Sequence, residues 1–485
     1  MADNSMAIPD AEALPEDPEL ARQMEELRRQ HLMLDARPLP ELADKIMTPM
    51  TTHGRLFWFL LFLFGAGSLM LLAVWIYQMY WGLGIVGIGR PTMWEPYLVN
   101  YIYFIGIGNA GTFISAVLRA LRFEWRAPIS RAAEVMTVFA MATAGLFPLI
   151  HVGRTWKLYW LFPYPNERQI WPNYRSPLTW DVVAIVTYLT CSILFAWLGL
   201  LPDLATARDR YNTGWRHRLY AMAALGWRGT QHQWATHKLT LDVFTFAIIP
   251  VMFLMHTIVS WDFSMNLQAG WHSTVFGPYF VIGALFSGVA MVIIVMLAMR
   301  RFMGLEYFIR AEHLDAMGKF LLIMSFAWVY FIFNDYLAPW YGQEPVDKSL
   351  THLLQNLWAA PLWYGMLFCN IVMPAALLVF KRLRTWPPTL LVAAVSVQIG
   401  MWLERFIIVP VMMGQNELPY SWGKYTLRLP ETLITIGAFC LVGLLFLLFT
   451  RFFPIIPLWE VHEGQAMVGL KRVGRVILRT HPQPE

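Results

Sequence analysis

Ionisable residues interrupt the apolar stretches of this chain, and most of them lie at the same end of those stretches. A charge in hydrocarbon is costly, so such residues usually face a protein interior or a wet cavity. An imidazole or carboxylate placed near a hydroxyl can accept its proton near neutral pH. The set therefore predicts a proton-handling site near one membrane surface, with the members His151, Arg154, Asp181, His256, Asp262, Asp335, Glu404 and Arg405.

Several of these residues also have a purely structural interpretation. His151 and Arg154, three residues apart, are expected to share a helix face, but a pair at a helix end also snorkels to water. Asp181 follows Thr179, which we predict as an N-cap, so its carboxylate can simply complement the helix dipole. His256 and Asp262 are expected to straddle the end of one apolar stretch, where Asp262 could be a solvated loop acid.

Glu404 and Arg405 lie inside one apolar stretch. Adjacent residues of a helix point about 100° apart, so we expect each to pair with another helix. The preferred partner of Arg405 is Asp181 or Asp262, and the alternative is a structural ion pair that locks helix register. Glu134 and Asp242, toward the other end of the stretches, could begin a proton path with Glu404 and Asp335, or could simply border the aqueous phase.

The composition is that of a membrane protein. The 485 residues are 57% hydrophobic and only 14% charged, too few charges to cover a soluble surface. The net charge of +5 does not indicate nucleic-acid binding, because the basic residues lie in the segments between apolar stretches. The first twenty residues lack a basic start and an apolar run, so no cleavable signal peptide is predicted.

No resident metal or redox cofactor is predicted. Cys191, Cys369 and Cys440 all fall inside apolar stretches and form no zinc or iron–sulfur spacing. Haem would need facing histidines at compatible depth, and His151 with His256 is the one such pair.

Ten stretches have about the ~20 apolar residues that cross a bilayer. We predict an all-α integral membrane protein with a tail at residues 1–54, a ten-helix domain at 55–454 and a second tail at 455–485. The first tail includes a predicted amphipathic helix at Pro18–Leu34. The predicted spans, numbered 1 to 10, are 56–80, 96–118, 132–153, 181–201, 239–260, 276–299, 317–338, 361–380, 389–412 and 432–453.

The distribution of basic residues predicts orientation. With the N-terminus inside, 28 of the 37 Lys and Arg residues lie in inner segments and eight in outer ones. Both termini are therefore predicted to be cytoplasmic, which places the ionisable set on the outer side. The loop between Trp156 and Trp180 is external yet basic and rich in tryptophan, which favours a binding platform for a partner protein or an aromatic ligand.

The chain also contains an internal repeat. Pro96-Tyr97, Phe104, Gly106 and Arg119 recur at identical spacing as Pro278-Tyr279, Phe286, Gly288 and Arg301, and an Ile-Ile/Val-Pro-Val-Met sequence recurs in spans 5 and 9. An offset of four spans preserves direction, so the repeat is parallel. We predict two four-helix bundles, spans 2–5 and 6–9, flanked by spans 1 and 10.

The motif Gly106-x-Gly108-x-x-Gly111 matches a dinucleotide fingerprint but lies inside a span without a preceding strand, so that function is not predicted. Small residues for close helix packing explain it better. Asn109, within the motif, is interpreted as a polar link between helices.

The sequence resembles the polysulfide reductase membrane subunit family, and in particular the larger quinol-interacting membrane subunit of alternative complex III. The stretch that carries the resemblance runs from Gly145-Leu-Phe-Pro-Leu-Ile-His151-Val-Gly-Arg154 through Trp160-Leu-Phe-Pro-Tyr-Pro-Asn166 to Ser176-Pro-Leu-Thr-Trp-Asp181. The resemblance implies a menaquinol site at the outer face, formed here by His151, Asp181, Asp262 and Arg405, with His256 and Arg154 beside them.

The resemblance further implies an external iron–sulfur subunit that takes the electrons, cytochrome c subunits beyond it, and a paralogous membrane subunit alongside in a bacterial inner membrane. Such complexes are proposed to couple quinol oxidation to proton translocation. Two other functions stay open: the membrane anchor of a molybdopterin oxidoreductase, and a non-redox transporter, although transporters usually bind near the midplane.

Overall fold

The computed structural model describes residues 22, 39–123, 126–161, 176–211, 213–416, 418–467, 469–473 and 476–480. Apart from Arg22, the predicted amphipathic helix at Pro18–Leu34 lies outside the described residues. The central part of the predicted tryptophan-rich platform, residues 162–175, also lies outside them.

Ten helices among the described residues are long and apolar enough to cross a membrane. This confirms the predicted all-α membrane domain and its ten spans. Numbered 1 to 10 as above, the spans are Arg55–Trp81, Pro96–Ala120, Ala127–His151, Pro177–Arg210, Gln231–Ser264, Phe276–Phe302, Ala311–Gly342, Ala360–Leu378, Pro387–Val411 and Leu429–Phe452.

The spans pack in two closed rings. Span 2 packs on span 3, span 3 on 4, span 4 on 5, and span 5 returns to span 2. Spans 6, 7, 8 and 9 make the same four contacts in the same order, and spans 2 and 6 join the two rings. Span 10 pairs with span 1 and contacts span 3. We call spans 2–5 the first bundle and spans 6–9 the second bundle; their parallel relation and the cytoplasmic termini stay predictions.

Small residues set the close approach of the central helices. A Cβ added to Gly288 would collide with the Cβ of Ala110, and one added to Gly111 would collide with the Ala133 carbonyl oxygen. Helices in lipid gain mainly from such close van der Waals packing. The packing interpretation of the glycine motif is therefore confirmed.

Proline marks where several spans begin and where two of them change pitch. Pro96, Pro177 and Pro387 occupy the first turn of their helices, where the missing N–H costs no hydrogen bond. Span 9 changes to a π-helix at Ile407–Val411, which contains Pro410. Span 8 changes at Phe368–Val372, just before Pro374. A π-turn accommodates the carbonyl that a mid-helix proline cannot pair.

Shorter elements lie between and beyond the spans. The α-helices are Leu39–Met47, Gly214–Ala223, Pro345–Asn356, Lys381–Arg384 and Leu458–Met467. Short 3-10 helices occupy Thr48–Met50, Leu83–Ile85, Thr155–Leu161 and Pro419–Ser421. Beyond the membrane domain, strand β1 (Gly469–Val473) pairs antiparallel with β2 (Val476–Thr480), a hairpin that the sequence pattern does not predict.

The segment after span 10 is fastened to the first bundle at the predicted inner side. The Asp203 carboxylate accepts hydrogen bonds from the backbone N–H groups of Leu458 (3.0 Å) and Trp459 (3.3 Å). It also pairs with Arg131 at 2.5 Å. The Arg131 guanidinium in turn donates to the carbonyl oxygens of Pro454 and Ile456. The buried charges of Arg131 and Asp203 thus receive hydrogen-bond partners from this segment.

Candidate functional site

Two carboxyl groups meet at the end of the first bundle that is predicted to be external, which we call its outer end. The Tyr101 hydroxyl, on span 2, donates to Asp181 Oδ2 on span 4 at 2.9 Å. The carboxyl of Asp262, on span 5, lies within hydrogen-bonding reach of Asp181. Asp181 is buried and Asp262 is partly buried. The structure therefore brings together two of the predicted site residues, which we call the acid pair.

The local sequence explains where Asp181 points. Span 4 begins at Pro177 after the N-cap Ser176, not at the predicted N-cap Thr179. Because Ser-Pro starts the helix three residues earlier than expected, Asp181 lies beyond the first turn, where a carboxylate gains little from the helix dipole. Its side chain turns instead toward spans 2 and 5. The structural alternative of dipole complementation is therefore not supported.

The acid pair keeps unused acceptor capacity. Asp181 Oδ1 and Asp262 Oδ1 have no hydrogen-bond partner among the described residues. Two carboxylates so close together repel unless a proton is shared between them or a donor enters. A hydroxyl-bearing ligand would supply such a donor. The arrangement is therefore suited to binding a hydroxyl group and holding its proton.

A cavity of about 270 Å³ opens beside Asp262. It lies where the start of span 4 meets the end of span 5, and its walls combine aromatic and apolar side chains with the polar side chains of Ser176, Asp262 and Asn266. Its volume suits an aromatic head group rather than a long apolar tail. The walls include Trp94, Pro177, Leu178, Trp261, Asp262 and Leu267.

His151 forms a second cluster with Glu95, a residue that the sequence pattern does not single out. Its Nδ1 lies 2.6 Å from Glu95 Oε1. Glu95 is fully buried, while the His151 side chain is 29% exposed. The expectation that Arg154 shares a helix face with His151 is wrong, because span 3 ends at His151 and Gly153 turns the chain with φ of +74°. Arg154 is exposed in the turn that follows.

The His151 cluster is held from three sides. Gln78 Nε2, on span 1, donates to the Ile150 carbonyl at 2.9 Å, directly before His151. The Tyr97 hydroxyl donates to Gln78 Oε1 at 2.6 Å. Spans 1, 2 and 3 thus fix the backbone that carries His151.

A further buried acid, Glu431 of span 10, lies close to this cluster but is satisfied separately. It accepts hydrogen bonds from the backbone N–H groups of Gly87 and Arg428 and from the Tyr425 hydroxyl. Burial, together with Glu431, raises the pKa of the Tyr425 phenol. The loop that carries Gly87 and Trp94 is therefore fastened to the loop before span 10.

His151 and Asp181 belong to separate clusters. No hydrogen bond or ion pair joins them in the part of the chain that the structure describes. Span 2 links the clusters instead, since Glu95 precedes its first residue and Tyr101 lies within its second turn. Trp94, next to Glu95, lines the cavity beside Asp262. The cavity therefore borders Asp262 of the acid pair, and its wall residue Trp94 is the chain neighbour of Glu95 in the His151 cluster.

His256 lies deeper and bridges two helices. Its Nδ1 is 2.7 Å from Asn109 Nδ2, and both side chains are fully buried. The interpretation of Asn109 as a polar link between helices is confirmed. His256 lies two turns inside span 5, which extends to Ser264, so it does not straddle the span end as expected. Its predicted part in ligand binding stays a prediction.

Arg405 does not pair with the acid pair. Its Nη1 donates to Glu404 Oε2 at 2.7 Å, so the expected ion pair with Asp181 or Asp262 is wrong. The guanidinium also lies over the Phe280 ring at 4.6 Å. The side chain of arginine is long enough to curl back to the preceding residue, which Cβ directions alone do not describe. The predicted quinol-binding role of Arg405 stays a prediction.

Glu404 is the most fully satisfied of the predicted residues. Its Oε1 accepts hydrogen bonds from the Tyr279 hydroxyl and from Trp328 Nε1, the latter at 2.8 Å. Asp335, nearby on span 7, interacts with Ser273 in the loop between spans 5 and 6. These contacts hold the outer end of the second bundle together.

One group of potential metal ligands lies above the second bundle. His272, Glu344 and Asp347 place one ligand atom each within 4.8 Å of one another. His272 and Glu344 are exposed, and Asp347 already accepts a hydrogen bond from the Gly270 N–H. We therefore assign no metal to this group.

The predicted inner residues are mostly paired. Ser115 Oγ donates to the buried Glu134 Oε1 at 2.5 Å. Asp242 has a 61% exposed side chain and lies 3.5 Å from Arg119. No hydrogen bond joins these two acids to each other or to Glu404 and Asp335 among the described residues. The proton path through them stays a prediction.

Comparison with protein families gives one match that covers most of the chain. The model of the family described as polysulphide reductase, NrfD, matches residues 85–418. This range includes His151, the acid pair, the cavity walls and both bundles.

Curated relatives match over similar lengths. A Halobacterium salinarum protein, provisionally named as a membrane subunit of dimethyl sulfoxide reductase, is 22% identical over 79% of this chain and 88% of its own. A selenate reductase subunit from Mesobacillus selenatarsenatis is 22% identical over 79% of this chain and 91% of its own. The integral membrane subunit of menaquinone reductase from Nitratidesulfovibrio vulgaris is 23% identical over 78% of this chain and 86% of its own.

Proposed function

Because this chain belongs to the polysulphide reductase NrfD family, we propose that it is the quinol-binding membrane subunit of an oxidoreductase complex. It lies in the bacterial inner membrane with both termini cytoplasmic, as tails at 1–54 and 455–485 around a ten-helix domain at 55–454. The substrate is menaquinol, a ligand that the name of the Nitratidesulfovibrio relative also carries.

The observation that carries this proposal is the acid pair beside the cavity. A quinol has two hydroxyl groups on an aromatic ring. Asp262 borders a cavity with aromatic walls, and both acids retain an unpartnered oxygen among the described residues. A hydroxyl of the ring can donate to one of these oxygens while the ring packs against Trp94 or Trp261. Binding and proton acceptance are thereby supported at one place.

Oxidation of the quinol releases two protons and two electrons. We assign one proton to the acid pair and the other to His151, whose partly exposed imidazole has a ring nitrogen that can accept it. The electrons leave to an external iron–sulfur subunit, with cytochrome c subunits beyond it and a paralogous membrane subunit alongside, as in alternative complex III. Glu134, Asp242, Asp335 and Glu404 are the proposed residues for coupled proton translocation.

A second candidate is the membrane anchor of a molybdopterin oxidoreductase. The names of two relatives, which refer to a dimethyl sulfoxide reductase and a selenate reductase, favour it. The same pocket would serve, because the chemistry at the quinol is unchanged. The identity of the catalytic subunit that co-purifies with the chain separates the two candidates.

The test is quinol oxidation by the assembled complex. We expect Asp181→Asn and His151→Ala to lower the rate by about 10²–10⁴-fold, the usual contribution of a general base. The control is Asp209→Asn, which removes an exposed acid beside Arg208 at the predicted inner end of span 4. Wild-type rates in both Asp181→Asn and His151→Ala, in complexes of normal composition, would overturn the proposal.

A further inference from the structure

Glu95 is a buried acid without an evident structural task. It occupies the N-cap of span 2, where a short polar side chain would cap the helix, yet its carboxylate makes no capping hydrogen bond. A fully buried carboxylate is costly unless it is paired. Its partner is His151 Nδ1 at 2.6 Å, and its Oε2 has no hydrogen-bond partner among the described residues.

We propose that Glu95 is a positioning residue that makes His151 the proton acceptor of the quinol. This inference rests on the proposed function and adds a residue to it. A hydrogen bond from Nδ1–H to the carboxylate fixes the tautomer in which Nε2 carries the lone pair. The ring is thereby oriented with Nε2 directed away from Glu95, and 29% of the side chain is accessible.

The charge of Glu95 matters after the proton has moved. The quinol O–H bond breaks, its proton forms a bond to His151 Nε2, and the imidazole becomes a cation. The electrons leave separately to the redox partner of the proposed function. The Glu95 carboxylate lies against the other ring nitrogen and neutralises that cation. No Lys or Arg pairs with Glu95 in the described part of the chain, so the protonated His151 is the cation that balances its charge.

The backbone around the pair is fixed by the contacts of Gln78. This residue donates to the carbonyl of Ile150 and accepts from Tyr97, two residues after Glu95. Both halves of the His151–Glu95 pair are therefore attached to one buried amide on span 1. Such support from neighbouring side chains is what holds a catalytic group in a productive orientation.

The experiment compares Glu95→Gln, Glu95→Asp and the matched control Glu431→Gln in the assembled complex. Glu431 is a fully buried acid near the same cluster, but its oxygens are used by backbone N–H groups and Tyr425. Each variant is measured for kcat of menaquinol oxidation, for affinity toward a quinone-analogue inhibitor, and for the solvent deuterium isotope effect on kcat.

We expect Glu95→Gln to lower kcat by about 10–100-fold while inhibitor affinity stays that of the wild type. Gln keeps an acceptor for Nδ1–H but cannot neutralise the imidazolium, so proton transfer becomes slower and the isotope effect larger. Glu95→Asp, which keeps the charge, is expected to recover part of the rate. Glu431→Gln is expected to leave kcat and the isotope effect unchanged.

Two results would overturn the inference. One is a wild-type kcat and isotope effect in Glu95→Gln, while His151→Ala is still impaired; the proposed function would then survive without Glu95. The other is an equal loss in Glu95→Gln and Glu95→Asp together with weakened inhibitor binding, which would make Glu95 a structural residue. If the wild-type complex does not oxidise quinol at all, the proposed function fails first.

Discussion

The outer ends of the two bundles differ in how their buried acids are paired. In the first bundle, Asp181 and Asp262 lie side by side, and each keeps an oxygen without a partner among the described residues. In the second, Glu404 pairs with Arg405 and accepts two further hydrogen bonds. The first end therefore has two neighbouring acids with an unpartnered oxygen each for a ligand and a proton, while in the second only Asp335 keeps such an oxygen among the described residues.

The internal repeat shows how one change separates the two ends. At the spacing that relates Phe104 to Phe286, Tyr101 corresponds to Gly283. Tyr101 supplies the hydroxyl that holds Asp181. At Gly283 the missing side chain leaves room for Arg405, whose Nη2 would lie 2.6 Å from an added Cβ. A tyrosine side chain in one half and the Arg405 guanidinium in the other thus fill the space beside corresponding backbone positions.

The largest effect is expected when the Glu404–Arg405 ion pair of the second bundle is removed. Arg405→Met leaves Glu404 buried without its cation, which we expect to lower the free energy of unfolding by about 3–5 kcal/mol. Thermal unfolding of the purified protein in detergent measures it. The double variant Glu404→Gln/Arg405→Met should regain most of the loss. An equal loss of unfolding free energy in both variants would show that Arg405 stabilises the protein by packing on Phe280 and not by its charge.

A smaller effect of opposite sign is expected in the first bundle. Asp262→Asn gives Asp181 an amide donor in place of a second acid. We expect the free energy of unfolding to stay constant or rise by about 1 kcal/mol, while quinol oxidation by the assembled complex falls. A destabilisation as large as that of Arg405→Met would mean that the buried acids at both ends stabilise the fold in the same way.

The smallest effect concerns Asp347, an acid of the second bundle's outer end that lies outside the spans. Burial raises the pKa of its carboxyl group. A raised acid pKa means that the folded state holds its proton more tightly, so this contribution to stability is present below the ordinary pKa and is lost as pH rises through the folded value.

Asp347→Asn is therefore expected to flatten the decline in stability above about pH 4 and to raise the melting temperature slightly at pH 7. Thermal unfolding between pH 4 and 8 checks it, with Asp209→Asn, an exposed acid beside Arg208, as the control. An unchanged pH profile in Asp347→Asn would contradict the assignment.

Much of the fold could be predicted because hydrocarbon imposes a simple rule. Apolar runs of sufficient length predict the ten spans, and the glycine motif predicts the close crossing that Gly288 and Ala110 make. The start of span 4 could also be predicted from the sequence. Ser176-Pro177 is a typical helix start, and it places Asp181 beyond the first turn.

The partners in the site could not be predicted in the same way. Glu95 precedes a proline at a helix start, so the sequence is equally consistent with an ordinary acid in a first turn. Its contact with His151 depends on how spans 2 and 3 pack. The pairing of Glu404 with Arg405 depends on side-chain length and on the space at Gly283, neither of which helical periodicity describes.

The attachment of Leu458 and Trp459 to Asp203 has a consequence for biogenesis. A chain is synthesised from its N-terminus, and domains fold as they emerge. Asp203 and Arg131 therefore enter the bilayer long before the backbone N–H and carbonyl groups that satisfy them have left the ribosome. Until residues 454–459 arrive, Asp203 and Arg131 lack these hydrogen bonds, so the first bundle is completed only after span 10 has been made.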